Sequence, residues 1–397
     1  HLMKDIVLIS TADWDHPLWT NKQHVACALA AGGERVLYVE SLGLRSVQAK
    51  GQDFRRILRR LFLGLRFPRA VRPGIWVMSP LVVPGGSHGI VLRLNRFMVR
   101  FSVSVACWLL HFRSPWLWTY NPLTLLYLPL KGFKLSIYHA VDAVQEQPCM
   151  PRSLIESEEA RLCRSVDQVF TTSPYLAERL AMHTERICYE PNVADRDHFA
   201  LSIELRENPD FVCPPELAEI PEPKIGFVGA ISSYKLDFEL IRAVASHHPE
   251  WHFVFIGPQS EGEPSTDLSW LSGFNNVHWL GPKPYHQLPQ FLANFQCAWL
   301  PLQCNPYTRA MFPMKFFEYL FAGLPVVSTR IHALLDFEAI CWLCPPDPLQ
   351  FSDQLRRALA GDGPSLKERL SGIEDYTYES RTRRMLKLLR SQGECIG

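Results

Sequence analysis

Residues 54–141 contain no aspartate or glutamate, yet 13 Lys and Arg fall among those 88 positions. The whole chain balances 41 basic residues against 40 acidic ones, so a basic first third is followed by an acidic remainder. A formal net charge of +1 argues against nucleic-acid binding through bulk charge. No run of about 18 uncharged apolar residues is present, which argues against a spanning helix. The longest candidate, 89–112, is broken by Arg93, Arg96 and Arg100. Residues 1–5 reach their first charges without a long apolar stretch, so no secretory leader is expected and a cytoplasmic location is. Eleven cysteines, an odd number scattered along a core-sized protein, suit buried thiols in a reducing compartment. The single C-x-x-C, Cys341 to Cys344, lies in a strand-like apolar run, and no second Cys or His pair completes a zinc set, so no metal site is expected. Neither half carries G-x-G-x-x-G after its first strand, which disfavours a dinucleotide dehydrogenase, and no P-loop appears.

What is present is an alternation of short apolar runs and helical patterns over 397 residues, 47% of them hydrophobic. Strands are expected at 5–11, 35–41, 75–80, 116–121, 134–139, 168–173 and 186–190, with amphipathic stretches such as 21–31 and 153–166 between them. After a proline cluster the pattern restarts at 224–231, 251–257, 277–281, 297–302, 325–329 and 340–344, with helices near 237–247, 287–295, 313–323 and 348–360. Near-continuous apolar strands separated by helices imply parallel sheets covered on both faces. The expected class is α/β, with two Rossmann-like doubly wound domains facing across a cleft. The expected boundaries are 1–200, a linker at 201–223, 224–375, and a final segment 376–397 containing a helix that packs back. In such folds ligands lie outside the carboxyl ends of the strands.

The most informative stretch is 309–329. Pro313 suits a first helical position and Gly323 a helix stop. The free amides and dipole at that helix start attract an anion, and Lys315 adds a full charge beside Met314. Lys315 and Glu318 are three apart and share a face. A cation for a diphosphate, with a carboxylate one turn on for two ribose hydroxyls, suits a nucleotide-sugar; an ordinary surface ion pair is the alternative.

Within it, Lys315 to Thr329 resembles the donor-site helix and following strand of GT-B glycosyltransferases, especially the glycosyltransferase family 4 group. Further resemblances are Glu190-Pro-Asn192-Val-Ala-Asp195-Arg-Asp-His-Phe199, Phe227-Val-Gly229-Ala, and Trp279-Leu-Gly281 with Tyr285, Leu288 and Pro289. Trp118, Tyr120, Asn121, Tyr138, His139 and Asp142 in the first half place the likeness nearest the bacterial exopolysaccharide and teichuronic-acid branch, and Met314-Lys315 is similar to a pair in the xanthan-pathway glucuronosyltransferase. The resemblance implies a nucleoside-diphosphate sugar donor, UDP-linked, and a saccharide or lipid-linked acceptor, with no separate cofactor. It places the donor against Lys315, Glu318, Gly229, Gly257 and Met314, with Lys235, Lys283 and Arg309 as further contacts. Two positions depart from the family. Ala310 stands where the family has a first Glu, and Ala230 stands near its Arg, leaving Lys235 as the candidate cation there. A nucleotide-sugar epimerase and a non-catalytic nucleotide-sugar-binding scaffold are the alternatives.

Transfer also needs a base from the first half. Asp142, at the end of its strand, with His139 is the leading pair, and Asp15 with His16 after the first strand is the second. Trp14 and Trp19 are candidates for stacking on a sugar, and Asn121 for binding hydroxyls. Finally, Phe54, Ile57, Leu58, Leu61, Phe62 and Leu65 recur at helical spacing opposite Arg55, Arg56, Arg59, Arg60 and Arg66, and Arg93, Arg96 and Arg100 form a second basic face. That pattern predicts peripheral contact with an anionic membrane at its inner face.

Overall fold

Short runs of β-branched and aromatic residues become fully buried strands here, because helices cover both faces of each sheet. The computed structural model describes residues 3–41, 68–80, 82, 89–142, 151–259 and 266–394. The candidate membrane helix at 54–66 lies outside the described residues. The chain forms two compact units: His1–Thr172, Leu176–Glu190 and Thr382–Gly397 make the first, and Ser173–Tyr175 with Pro191–Arg381 the second.

Among the described residues the first unit holds eight strands: β1 (Asp5–Ile9), β2 (Arg35–Val39), β3 (Arg69–Arg72), β4 (Ile75–Met78), β5 (Trp116–Thr119), β6 (Ser136–Ala140), β7 (Gln168–Thr171) and β8 (Ile187–Tyr189). Their order is β3-β4-β2-β1-β5-β6-β7-β8. All neighbours are parallel except β3 and β4. Strand β3, Arg-Ala-Val-Arg, has no apolar run and was not expected. Its exposed arginines suit an edge, where charge discourages pairing with another chain. One face of the sheet packs Val7, Ile9, Leu37, Val39 and Leu117 against Val99, Val103 and Ala106 of the helix Gly89–Leu109.

The second unit holds β9 (Lys224–Val228), β10 (His252–Ile256), β11 (Val277–Trp279), β12 (Cys297–Leu300), β13 (Val326–Thr329) and β14 (Trp342–Cys344) in the all-parallel order β11-β10-β9-β12-β13-β14. The first strand is central and the order reverses between β9 and β12, which makes the gap beyond their carboxyl ends the ligand position of a doubly wound sheet. In β9, Gly226 admits the Phe295 ring, because a Cβ there would fall 2.2 Å from it.

The expected boundaries need correction. The first unit gives way at Glu190, not at 200, and 201–223 is not a linker. The helix Arg196–Glu207 is part of the second unit: Ser202 Oγ donates to the Pro289 carbonyl at 3.0 Å, and Arg206 donates to the carbonyls of Ala293, Leu292 and Ala322. Prolines and acids suggested an open connection, but two polar side chains on one helix face fix it by hydrogen bonds. The last helix, Tyr378–Glu394, returns the chain to the first unit, where Arg384 pairs with Glu190 at 2.9 Å and Arg390 with Glu34 at 3.1 Å.

Candidate functional site

The helix Met314–Phe321 forms because one apolar face, Phe316, Phe317, Leu320 and Phe321, enters the core of the second unit. Pro313, with ψ of 111°, is the extended cap and not the first helical residue as expected, and the helix stops before Gly323, whose φ is +80°. In its first turn the Phe316 amide donates to the Pro313 carbonyl at 3.1 Å, and the amides of Met314 and Lys315 have no partner inside the helix. Lys315 sits there with its Nζ 3.2 Å from Glu318 Oε2. The lysine side chain is one-third exposed and the carboxylate 6% exposed, so a cation faces outward over a recessed acid. Tyr319, next in sequence, ties the helix to the sheet: its hydroxyl accepts the Val228 amide at 2.8 Å and donates to the Val228 carbonyl at 3.2 Å.

Glycines bring bare backbone to the same edge. Gly229 follows β9, and a Cβ there would lie 3.5 Å from Lys315 Cε. Gly257 follows β10, and a Cβ there would collide with the Gly229 carbonyl. The indole of Trp279 donates to the Gly257 carbonyl at 2.9 Å and fixes that turn. Thus Lys315, Glu318, Gly229 and Gly257 come together at the reversal point of the sheet, with Met314 half-buried at the start of the helix.

The motif residues Asn192, Asp195 and Tyr285 frame this helix. Asn192 Nδ2 donates to the Phe312 carbonyl at 3.0 Å, immediately before the cap. Asp195 caps its own helix by accepting the His198 amide, and the His198 ring stacks on Tyr285 at 4.1 Å. Burial, with Glu318 and Asp195 nearby, pushes the Tyr285 phenol up, so it remains a neutral wall.

Other expected contacts go elsewhere. Lys283 is drawn to Glu216 at 2.6 Å and lies over Phe291, so its charge is already met away from the expected phosphates. Lys235 lies over the rings of Tyr234 and Tyr307. Arg309, on the helix Pro306–Ala310, lies over Tyr175. Ala310 is wholly buried, and its carbonyl accepts from Ser173 Oγ at 2.8 Å.

In the first unit, Asp142 follows β6 at its carboxyl end, its side chain 40% exposed and 3.8 Å from Lys22. His139 is corrected as a base: it is fully enclosed, with Nδ1 3.0 Å from the Tyr120 hydroxyl and Trp118 and Phe170 around the ring. A base must reach its proton, and this ring is walled in. Asp15 pairs with Arg69 at 2.5 Å, and His16 Nδ1 accepts from the Leu18 amide at 3.1 Å in the same exposed turn. Trp14 is buried against Tyr38 and Trp19 and is not free to stack on a sugar. Asn121 is buried too, its Oδ1 accepting the Leu123 amide as a turn cap.

Two side chains escaped the sequence reading. Lys22, in the first turn of the helix Asn21–Ala31, is buried beside Asp142 and over the Tyr120 ring. Its signal was a polar Asn-Lys-Gln start on a helix that otherwise has no polar face. Glu40 ends the run of β2; burial and Asp13 hold its carboxyl above the usual range while the Trp14 amide and Ser79 hydroxyl donate to it.

Residues 222–361 match the family described as Glycosyl transferases group 1. TuaH of Bacillus subtilis (strain 168), a glycosyltransferase assigned to teichuronic acid biosynthesis, is 30% identical over 186 residues, covering 45% of this chain and 44% of its own. The chain therefore spans less than half the length of that relative. Across the whole chain the fold is shared with sucrose-phosphate synthase from Thermosynechococcus elongatus, with a TM-score of 0.67, 15% identity, and coverage of 99% and 100% of the two chains. HepE of Anabaena, solved in complex with UDP-glucose, has a TM-score of 0.66 at 14% identity over 98% and 99%. The chain has the GT-B fold.

Proposed function

We propose that this GT-B chain transfers a sugar from a UDP-linked donor to a saccharide or lipid-linked acceptor. The observation that carries this is the Lys315–Glu318 pair at a helix start on the reversal point of the second sheet. Lys315 and the first helical amides would meet the charge that develops on the leaving diphosphate, as a charge and dipoles already held in position. Glu318, recessed beneath it, would accept the two ribose hydroxyls. The lack of a side chain at Gly257 lets its turn close onto the Gly229 carbonyl beside Lys315, at the strand ends where the nucleotide would lie. Because cations and amides do this work, the donor is the only co-substrate required and no metal is called on.

Asp142 is the proposed base. It follows β6 in the first unit, is accessible, and has Lys22 beside it to fix its carboxylate. The assignment of TuaH to teichuronic acid biosynthesis and the UDP-glucose in HepE support this reading.

Peripheral membrane contact is also proposed, on a different segment from the 54–66 stretch singled out in the sequence. Ile90, Leu94, Phe97, Phe101 and Trp108 recur at helical spacing along Gly89–Leu109 and are exposed, with Arg93 and Arg100 beside them. An exposed apolar stripe edged by arginines suits an anionic bilayer surface. No helix among the described residues is long and apolar enough to cross a membrane.

The test is release of UDP from UDP-glucose and related UDP-sugars by the purified chain, with and without short saccharide acceptors. Turnover is expected to fall at least about 100-fold in Lys315→Ala, the scale for losing an electrostatic donor to a developing anion. Interconversion of free UDP-sugars without an acceptor, or turnover unaffected by Lys315→Ala, would overturn the proposal.

A further inference from the structure

The turns after β12 and β13 border an open cavity in the same unit, at the same strand-end edge as Lys315, with a volume of about 510 Å3. Arg309 and Arg330 line it together with His332, and no aspartate or glutamate among the described residues does. Arg309 is exposed and pairs with no carboxylate among the described residues; its guanidinium lies 5.1 Å over the ring of Tyr175, which also lines the cavity. Tyr175 is held in place because neighbouring Ser173 is bonded to the Ala310 carbonyl. Arg330 is fixed from outside the cavity by Glu338, with two contacts at 2.7 and 3.2 Å. Asn305 and Thr308 spend their polar atoms on a reciprocal cap that stiffens the short helix carrying Arg309. The result is a stiff recess with an aromatic wall and one guanidinium that no acid among the described residues pairs with.

A neutral hexose offers only hydroxyls to such a recess, whereas a carboxylate or phosphate matches the guanidinium fork. We propose that this cavity binds a sugar carrying an anionic group, with Arg309 as its main contact, so that the sugar moved or the sugar receiving it is acidic. This rests on the glycosyl-transfer reading above and names its substrate class.

Cys304 lines the cavity and is exposed, so it reports occupancy. The measurement is its alkylation by iodoacetamide, followed peptide by peptide by mass spectrometry on the full chain. In the donor arm UDP-glucuronate is compared with UDP-glucose. In the acceptor arm glucuronate and glucose 6-phosphate are compared with glucose, all with saturating UDP. In at least one arm the acidic probe is expected to protect Cys304 at about tenfold lower concentration than its neutral counterpart, the effect of one charge-assisted hydrogen bond, and Arg309→Gln should abolish the difference. Protection in the donor arm places the acid on the sugar moved; protection in the acceptor arm alone places it on the acceptor. Equal protection by acidic and neutral probes in both arms, or a difference that survives Arg309→Gln, overturns the proposal. UDP binding is measured on the same samples by calorimetry. Its absence would defeat the glycosyl-transfer reading and this proposal with it, whereas UDP binding without selective protection defeats the cavity alone.

Discussion

A Cβ on Gly257 would fall 1.8 Å from the carbonyl oxygen of Gly229, so the turns after β10 and β9 meet backbone to backbone. The Lys315 side chain lies against Gly229, its Cε 3.5 Å from where a Cβ there would sit. Gly257→Ala must therefore push one turn away from the other, and the strain is not relieved by moving a flexible side chain. The expected loss is more than about 2 kcal/mol of stability, with weakened UDP binding, read by denaturant unfolding and calorimetry. Gly273→Ala, at a position with nothing within 4 Å, is expected to leave both nearly unchanged.

Asp142→Asn is expected to lower transfer by at least about 100-fold while leaving UDP affinity within about twofold, because a base acts on the acceptor and not on the nucleotide. Initial rates and calorimetry on one preparation check it. His139→Gln, by contrast, should show itself mainly as a lower melting temperature, since that ring is enclosed among Trp118, Tyr120 and Phe170.

Glu40 makes stability depend on pH. Burial first, then Asp13, raise its carboxyl above the ordinary value. A carboxyl raised in the folded state favours folding while it is protonated, and that contribution is lost as pH climbs from the unfolded value through the folded one. Glu40→Gln keeps an acceptor oxygen and removes the charge. Its melting temperature should match the wild type near about pH 4 and exceed it near about pH 7. A gap that widens toward acid would contradict this sign.

Thirteen strands were legible as short apolar runs because a strand covered on both faces has little choice of composition. Strand β3 was not, since an edge strand is paired on one side only and tolerates Arg-Ala-Val-Arg. The Lys315–Glu318 pair was legible because i,i+3 spacing fixes a shared helix face. His139, Trp14 and Asn121 were misread for one reason: polar and aromatic residues at strand ends look alike in sequence whether they face a ligand or close a turn. Lys283 was misread because its partner, Glu216, lies 67 positions away in a stretch taken for a linker.

On the helix Gly89–Leu109, Phe97 and Phe101 stack on each other at 6.0 Å in the exposed stripe. The double substitution Phe97→Glu with Phe101→Glu should abolish sedimentation with liposomes containing anionic lipid, by removing apolar area and adding repulsion. Activity on a short water-soluble acceptor should persist. Equal sedimentation of the wild type with neutral and anionic liposomes would remove the charge component.

The most direct measurement is calorimetric titration of UDP into the wild type, Lys315→Ala and Glu318→Ala. Loss of a charge-assisted contact should weaken binding about tenfold or more in each variant, with folding retained by circular dichroism. UDP affinity equal in all three proteins would contradict the assignment of this helix start as the donor site.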